Sequence, residues 1–196
     1  GLDERVKKML ALKARLGILD KGYSPYVELD GIEKRVIVQE NPELMQQIAK
    51  NSMTVLFNDN SAGYGLPVTF EGKKVAYVGY KNPVLGREFG EIANRYGKVD
   101  TILLSNDASL AALKDARNRL RNHDLIIMGF NETDQRPHKG YAINVEEVNF
   151  ITDWAAEQPM IAVYLGSPYA LTRIPGYRNF TAYVLGYSNN QANNFA

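Results

Sequence analysis

The most polar loop of the chain, Asn131–Lys139, contains three side chains that could transfer protons, Glu132, Asp134 and His138, together with the cation Arg136. Histidine titrates near neutral pH, and burial can tune the pKa of a carboxylate, so this set could supply a general acid or base. A simpler interpretation is a solvated loop in which Asp134 and Arg136 form a local ion pair, and the residue types favour it. The loop is the first candidate for a functional site.

Metal ions and serine nucleophiles find less support in the sequence. The chain has no cysteine, and its two histidines, His123 and His138, lack neighbours at ligand spacing, so no metal site is predicted. The serines Ser61, Ser105 and Ser167 lack the strand–turn–helix context of a nucleophile elbow. Neither kind of catalytic centre is therefore expected.

Cofactor-binding turns are also missing from the sequence. The stretch NDNSAGYGLP after Phe57 lacks the spacing of a dinucleotide fingerprint or a phosphate loop, and we interpret Gly63 and Gly65 as turn residues. A flavin-phosphate loop would need a hydroxyl-rich turn before a helix. A phospho-acceptor domain would need a lysine after the fifth strand, which instead ends in GSPY. We predict no cofactor.

The charge balance argues against nucleic acid and membrane partners. The chain has 23 Lys and Arg against 22 Asp and Glu, so no overall field favours a polyanion. Local basic clusters on helix-patterned segments are interpreted as solvated helix faces: Lys7, Lys8, Lys13 and Arg15, and Arg117, Arg119 and Arg121. No apolar run approaches the length of a membrane span.

The polar loop follows an apolar run, Asp124–Phe130, of the kind that forms strands buried on both faces of a parallel sheet. In open α/β sheets, ligands bind just beyond the carboxyl ends of such strands, which is where this loop begins. Similar runs predict the remaining strands: Thr54–Phe57, Lys74–Tyr80, Thr101–Ser105, Met160–Gly166 and Thr181–Tyr187.

Helix patterns alternate with these strands. The first predicted helix is Leu2–Leu16, ended by Gly17, and the second runs from Asn41 to Asn51, is capped by Asn41 and buries Leu44, Met45, Ile48 and Ala49. Two further helices are predicted from their inward-facing residues, which are Phe89, Ile92, Ala93 and Tyr96 in one and Leu110, Leu113, Ala116 and Leu120 in the other. A last helix is predicted from the capping box Asn144–Glu147. Ile18–Val38 is predicted to be an extended linker with an edge strand at Arg35–Val38, and the tail from Ser188 the start of a helix. The alternation predicts a three-layer α/β/α sandwich with a six-stranded, mostly parallel sheet.

Several segments together resemble the C-terminal part of glycoside hydrolase family 3 enzymes, in the branch that includes β-N-acetylhexosaminidases. VKKMLALKARLGIL is similar to the helix that leaves the catalytic barrel of that family, and IAKNSMTVLFNDNSAGYGLPV to the entry of its second domain. KKVAYVGY, GSPYAL and AYVLGYSNNQANNFA resemble later strands of the second domain.

The resemblance implies residues 1–38 as a barrel-exit helix and linker, and residues 39–196 as the sandwich domain. The family's nucleophilic Asp lies on an N-terminal (β/α)₈ barrel, which would be this domain's partner in the full-length chain, and retaining hydrolysis needs two groups that flank the bond. The chain alone is expected to be inactive, with no catalytic residue of its own. The substrate would be a glycan, and the family's habits favour a periplasmic or exported location.

The family's β-glucosidase branch takes its general acid from a Glu near a Glu-Gly-x-Asp-Arg run in the loop that corresponds to Asn131–Lys139. Here the loop reads NETDQRPHKGY, without that run, so the acid role is not transferred to Glu132. In the N-acetylhexosaminidase branch a His–Asp pair on a barrel loop replaces it. We therefore expect Asn131, Asp134, Arg136 and His138 to face a substrate at most. A stand-alone flavodoxin-like binding or interaction domain remains the alternative.

Overall fold

The computed structural model describes residues 1–36, 40–131, 134 and 136–188. The chain forms two compact units, Gly1–Asn41 and Pro42–Ala196. The first contains helices α1 (Leu2–Arg15) and α2 (Ile32–Val36). The second contains the sheet and most of α3 (Glu40–Ser52), together with α4 (Pro83–Ala93), α5 (Leu110–Leu120) and α6 (Val145–Glu157).

Helix α1 ends at the predicted glycine. Gly17 has a φ of 70°, and the amide of Ile18 donates to the carbonyl of Lys13 at 3.0 Å, which is a Schellman closure. The predicted edge strand at Arg35–Val38 is wrong in its first half, because Arg35 and Val36 belong to α2. Good helix formers follow the left-handed Gly31 there and outweigh the β-branched pattern. The other half of that prediction falls outside the described residues.

The sheet has the six predicted strands: β1 (Thr54–Asn58), β2 (Val75–Tyr80), β3 (Val99–Leu103), β4 (Leu125–Phe130), β5 (Met160–Tyr164) and β6 (Ala182–Leu185). Their order across the sheet is β1-β6-β5-β4-β2-β3, and every neighbouring pair is parallel except β1 with β6. β2 and β4 are buried along their whole length, as continuous apolar runs in a central parallel sheet should be. The three-layer α/β fold predicted from the sequence is confirmed.

Helices cover both faces of the sheet. α5 and α6 share one apolar cluster with β2, β4 and β5, centred on side chains such as Leu113, Ile151 and Trp154. α4 covers the opposite face, where Phe89 stacks on Tyr77 with ring centroids 4.7 Å apart. α4 comes close to β3 at a glycine, Gly90, because any larger residue would be too near the strand: a Cβ on Gly90 would lie 2.9 Å from Thr101 Oγ1.

The structure corrects the predicted burial of three side chains of α3. The helix begins at Glu40, one residue before the predicted cap. Ala49 is buried as expected, but Leu44, Met45 and Ile48 are exposed. Their spacing fits an amphipathic stripe, and the stripe faces outward. Tyr96, predicted to lie on the inner face of α4, is also exposed, because the helix ends at Ala93.

Candidate functional site

The strand order places a topological switch point at the carboxyl edge of the sheet, between β2 and β4. From β2 the chain crosses to β3 through α4 on one face, and from β4 it crosses to β5 through α6 on the other. The two connections leave neighbouring strands in opposite directions, which is the arrangement that opens a ligand crevice in doubly wound sheets. The ends of β2 and β4, at Tyr80 and Phe130, lie side by side at this switch point, where such a crevice is expected.

Backbone strain is concentrated at the same edge. Among the described residues other than glycine, the ones with positive φ are Lys81 and Asn82 after β2, Tyr141 and Ala142 between β4 and α6, and Tyr187 after β6. All five lie past the carboxyl end of a parallel strand, with φ between 44° and 59°. Left-handed backbone is costly for such residues and tends to occur at functional sites.

Asn131, the first residue of the predicted site, does not face the crevice opening. Its side chain is fully buried, and its Nδ2 donates to Tyr77 Oη at 3.0 Å. Gly79 and Gly86 make room for it, since a Cβ on either would lie 3.2 or 3.0 Å from that nitrogen. Burial raises the pKa of Tyr77, and the hydrogen bond with Asn131 opposes that shift. Asn131 is held as a core residue beneath the edge.

Asp134 and Arg136 form the local ion pair expected from the sequence. Arg136 Nε lies 2.9 Å from Asp134 Oδ1, Arg136 Nη2 lies 2.6 Å from Oδ2, and the backbone amide of Arg136 also donates to Oδ1 at 2.8 Å. These bonds, first the one from the guanidinium, lower the pKa of Asp134 to about 2. The carboxylate is therefore ionised at any physiological pH.

His138 lies on the short 3₁₀ helix Pro137–Ala142 and is exposed. Its charge, when present, adds slightly to the lowering of the pKa of Asp134, so the two residues are close enough to interact electrostatically. The loop is folded back by a hydrogen bond in which the amide of Asp134 donates to the carbonyl of Tyr141 at 3.2 Å. The structure thus brings Asp134, Arg136 and His138 together and separates Asn131 from them, while Glu132 falls outside the described residues.

A buried polar cluster at the same edge was missed by sequence reasoning. Glu147 accepts a hydrogen bond from Tyr80 Oη, and its Oε2 lies 3.6 Å from Lys81 Nζ. Both charged side chains are largely buried. Their placement depends on the neighbouring positions of β2 and α6, which only the three-dimensional fold supplies.

The one available sequence signal for this cluster was interpreted as a capping box. Half of the box is present, because Asn144 Oδ1 accepts from the amides of Glu146 and Glu147 at 3.1 and 3.4 Å. The carboxylate of Glu147, however, turns toward Tyr80 and Lys81. A capping Glu beside a buried strand end is therefore a weak indicator of a polar site.

The chemical capacity of the edge is limited. No group of three or more His, Cys, Asp or Glu side chains suited to a metal ion occurs within the described part of the chain. Asp134 is held ionised by Arg136, and Glu147 is buried against Lys81. The arrangement can bind and orient polar ligands, and the carboxylate of Asp134 is ionised at neutral pH. Separately, none of the described helices is long and apolar enough to cross a membrane.

Comparison with known proteins yields a match at the level of structure. No protein-family model matches the chain, and no curated protein sequence matches it. A similar solved structure is that of a glycoside hydrolase family 3 β-N-acetylglucosaminidase from Paenibacillus sp. str. FPU-7, with a TM-score of 0.60 and 15% identity. The match covers 98% of this chain and 35% of the other, so the present chain spans about a third of that enzyme.

Proposed function

We propose that this chain is the non-nucleophile sandwich domain of a family 3 glycoside hydrolase that acts on β-N-acetylglucosaminides. The observation that carries the proposal is the fold likeness to a β-N-acetylglucosaminidase over 98% of this chain and 35% of that enzyme. The segment resemblances in the sequence support the same family independently of the coordinates. Together they favour one domain of a larger retaining glycosidase.

The chemistry of the edge supports a role other than proton transfer. Retaining hydrolysis needs a nucleophile and a group that is protonated before bond cleavage. Asp134, with a pKa of about 2, cannot act as that acid at neutral pH. Both catalytic groups would therefore come from a (β/α)₈ barrel in the full-length chain, with residues 1–38 as its exit helix and linker.

In this proposal the carboxyl edge forms one wall of the sugar site. The exposed guanidinium of Arg136 and the imidazole of His138 offer donors to sugar hydroxyl or acetamido oxygens. Asp134 holds Arg136 in one orientation and is partly buried itself. Asn131 acts beneath the wall and makes no sugar contact.

A stand-alone flavodoxin-like domain is less well supported. β1 runs antiparallel at the sheet edge, and the structural likeness includes nearly the whole chain rather than a central sheet alone. The two proposals differ in what precedes Leu2 in the complete reading frame. A barrel-sized segment there supports the glycosidase.

The direct experiment compares hydrolysis of an aryl β-N-acetylglucosaminide by the full-length protein and by residues 1–196. We expect turnover by the full-length protein alone. Turnover by residues 1–196 would contradict the absence of catalytic groups from this domain. An inactive but folded full-length protein would overturn the glycosidase assignment.

The role of the wall is tested in the full-length protein with Arg136→Gln and His138→Gln. If these side chains contact the sugar, KM should rise several-fold with a smaller change in kcat, because the lost contact is made to bound substrate. Arg95→Gln, beyond the far end of α4, is the matched control and should have normal kinetics. An unchanged KM in both loop variants would mean that the loop does not bind the substrate.

A further inference from the structure

A second polar site lies at the amino end of the sheet, opposite the crevice. A cavity of about 340 Å³ opens there, with walls that include Lys73, Lys74, Lys98, Asp100, Arg119 and His123. The cavity is large enough for a small organic molecule, since ligand pockets start at roughly 300 Å³. Four of these six residues are lysine or arginine.

The fold itself forces the basic groups together. β2 and β3 are parallel with Val75 beside Val99, so Lys74 and Lys98 stand side by side at the two strand starts. Arg119 reaches the same place from the last turn of α5. Like charges on adjacent strands repel one another, and the repulsion is relieved when an anion binds between them.

The acidic groups nearby are already engaged. Asp100 accepts a hydrogen bond from His123 Nε2 at 2.9 Å. This bond is the largest cause of the lowered pKa of Asp100, and the charges of Lys98 and Lys74 lower that pKa further. Asp124 accepts from the backbone amide of Lys74 at 2.7 Å. One exposed carboxylate thus faces four basic side chains.

The basic groups themselves are only loosely paired. Neither Lys74 nor Lys98 makes an ion pair with another described side chain. Arg119 has Asp115 at 3.8 Å on an exposed helix face, a contact worth little. Lys73 donates to the carbonyl of Gly63, which fixes its ammonium at the rim.

One further observation concerns His123, whose ring lines the cavity. Its Nδ1 is buried and has no hydrogen-bond partner among the described residues, while Nε2 is held by Asp100. The guanidinium and ammonium donors around this cavity form the donor set used for phosphoryl oxygens, with Arg able to bind two oxygens at once.

We propose that this cavity binds the phosphate group of a small anionic molecule, at the sheet edge opposite the sugar crevice. Lys98 and Arg119 are the principal contacts of the phosphate group, and Lys74 adds a further positive charge to the cavity wall. Asp100 holds His123 in place and limits affinity by its own charge. The site does not depend on the glycosidase assignment.

The experiment titrates residues 1–196 with inorganic phosphate, pyrophosphate and glucose 6-phosphate at constant ionic strength, followed by calorimetry and amide chemical shifts. We expect saturable binding of one anion per chain, with shifts at residues 98 and 123. Tighter binding of the ester than of inorganic phosphate indicates a phosphorylated molecule as ligand. Equal binding indicates free phosphate, and both outcomes support the site.

The double variant Lys98→Gln/Arg119→Gln should weaken binding at least tenfold. Lys114→Gln, an exposed lysine of α5 outside the cavity, should bind like the parent chain. Asp100→Asn should bind more tightly, because it removes the one facing carboxylate. The proposal would be overturned by chemical shifts that rise linearly and never saturate in the parent chain. It would also be overturned if Lys98→Gln/Arg119→Gln and Lys114→Gln lost the same affinity for the anion, or if the parent chain bound a single-stranded oligonucleotide more tightly than pyrophosphate.

Discussion

Tyr77 and Asn131 form a buried hydrogen-bonded pair that is packed against glycine on two sides. We predict that Tyr77→Phe destabilises the protein by about 1–3 kcal/mol, because it leaves the Asn131 amide buried without its partner. Urea unfolding followed by circular dichroism measures this. Tyr169→Phe is the control, since Tyr169 is exposed and should change the free energy of unfolding very little. Equal effects of the two substitutions would contradict the pair's role.

The Asp134–Arg136 pair gives a prediction about pH. The folded-state pKa of Asp134, about 2, lies below the roughly 3.9 of an unfolded Asp, so the pair's contribution is present above pH 4 and is lost as the pH falls through 2. In Arg136→Gln the pKa of Asp134 should rise toward 4, because the guanidinium is the main cause of the shift. Side-chain carboxyl NMR across pH 1.5–6 would show it. An unshifted pKa in the variant would mean that backbone amides hold the carboxylate instead.

The N-termini of α5 and α6 offer a matched comparison at the level of elements. Asn144 caps α6 through its side chain, whereas Ser109 at the start of α5 makes no side-chain cap bond. Asn144→Ala should therefore cost about 1 kcal/mol of stability and Ser109→Ala close to none. Urea midpoints of the two variants measure the difference. Equal losses would show that the Asn144 geometry contributes no capping energy.

The strands were predictable because their signal is local. Runs such as Leu125–Phe130 are buried on both faces, so an unbroken apolar sequence is enough to mark them. The faces of α3 and α4 were not predictable in the same way. Periodicity identifies a stripe, but what the stripe contacts depends on the fold: Ile48 points outward, and α4 approaches the sheet through Gly90.

The candidate site also has features that the local sequence predicts and features that only the fold determines. The position of the loop after β4 and the pairing of Asp134 with Arg136 follow from sequence order and short separation. Contacts between distant segments do not, which is why the Lys81–Glu147 pair and the inward turn of Asn131 required the structure.

At the level of the whole molecule the two sheet edges differ in charge and in backbone. The carboxyl edge carries the left-handed residues and two tight acid–base pairs, Asp134–Arg136 and Lys81–Glu147. The amino edge carries four lysine and arginine residues and one aspartate, Asp100, around one cavity. If the carboxyl edge contributes a wall to a larger site, as proposed, the amino edge stays free for a separate ligand.

The outward stripe of α3 gives the last prediction. Leu44, Met45 and Ile48 are 53%, 51% and 56% exposed. Contiguous apolar surface of this kind marks an interaction site, and the proposed barrel is the partner we expect to cover it. Hydrogen exchange of residues 42–52 should therefore be slower in the full-length protein than in residues 1–196, because covered helices open less often.

Substituting all three residues with Gln separates this from a general stabilisation of the domain. Residues 1–196 should unfold at nearly the same urea concentration with and without the substitutions, within about 0.5 kcal/mol, because the side chains are half exposed. In the full-length protein the same change should remove the extra protection of residues 42–52. Val84→Gln, an exposed apolar residue of α4, should leave that protection intact. If the stripe variant keeps the full protection, these three side chains do not form the covered surface, and the proposed barrel would have to pack on another face of the domain.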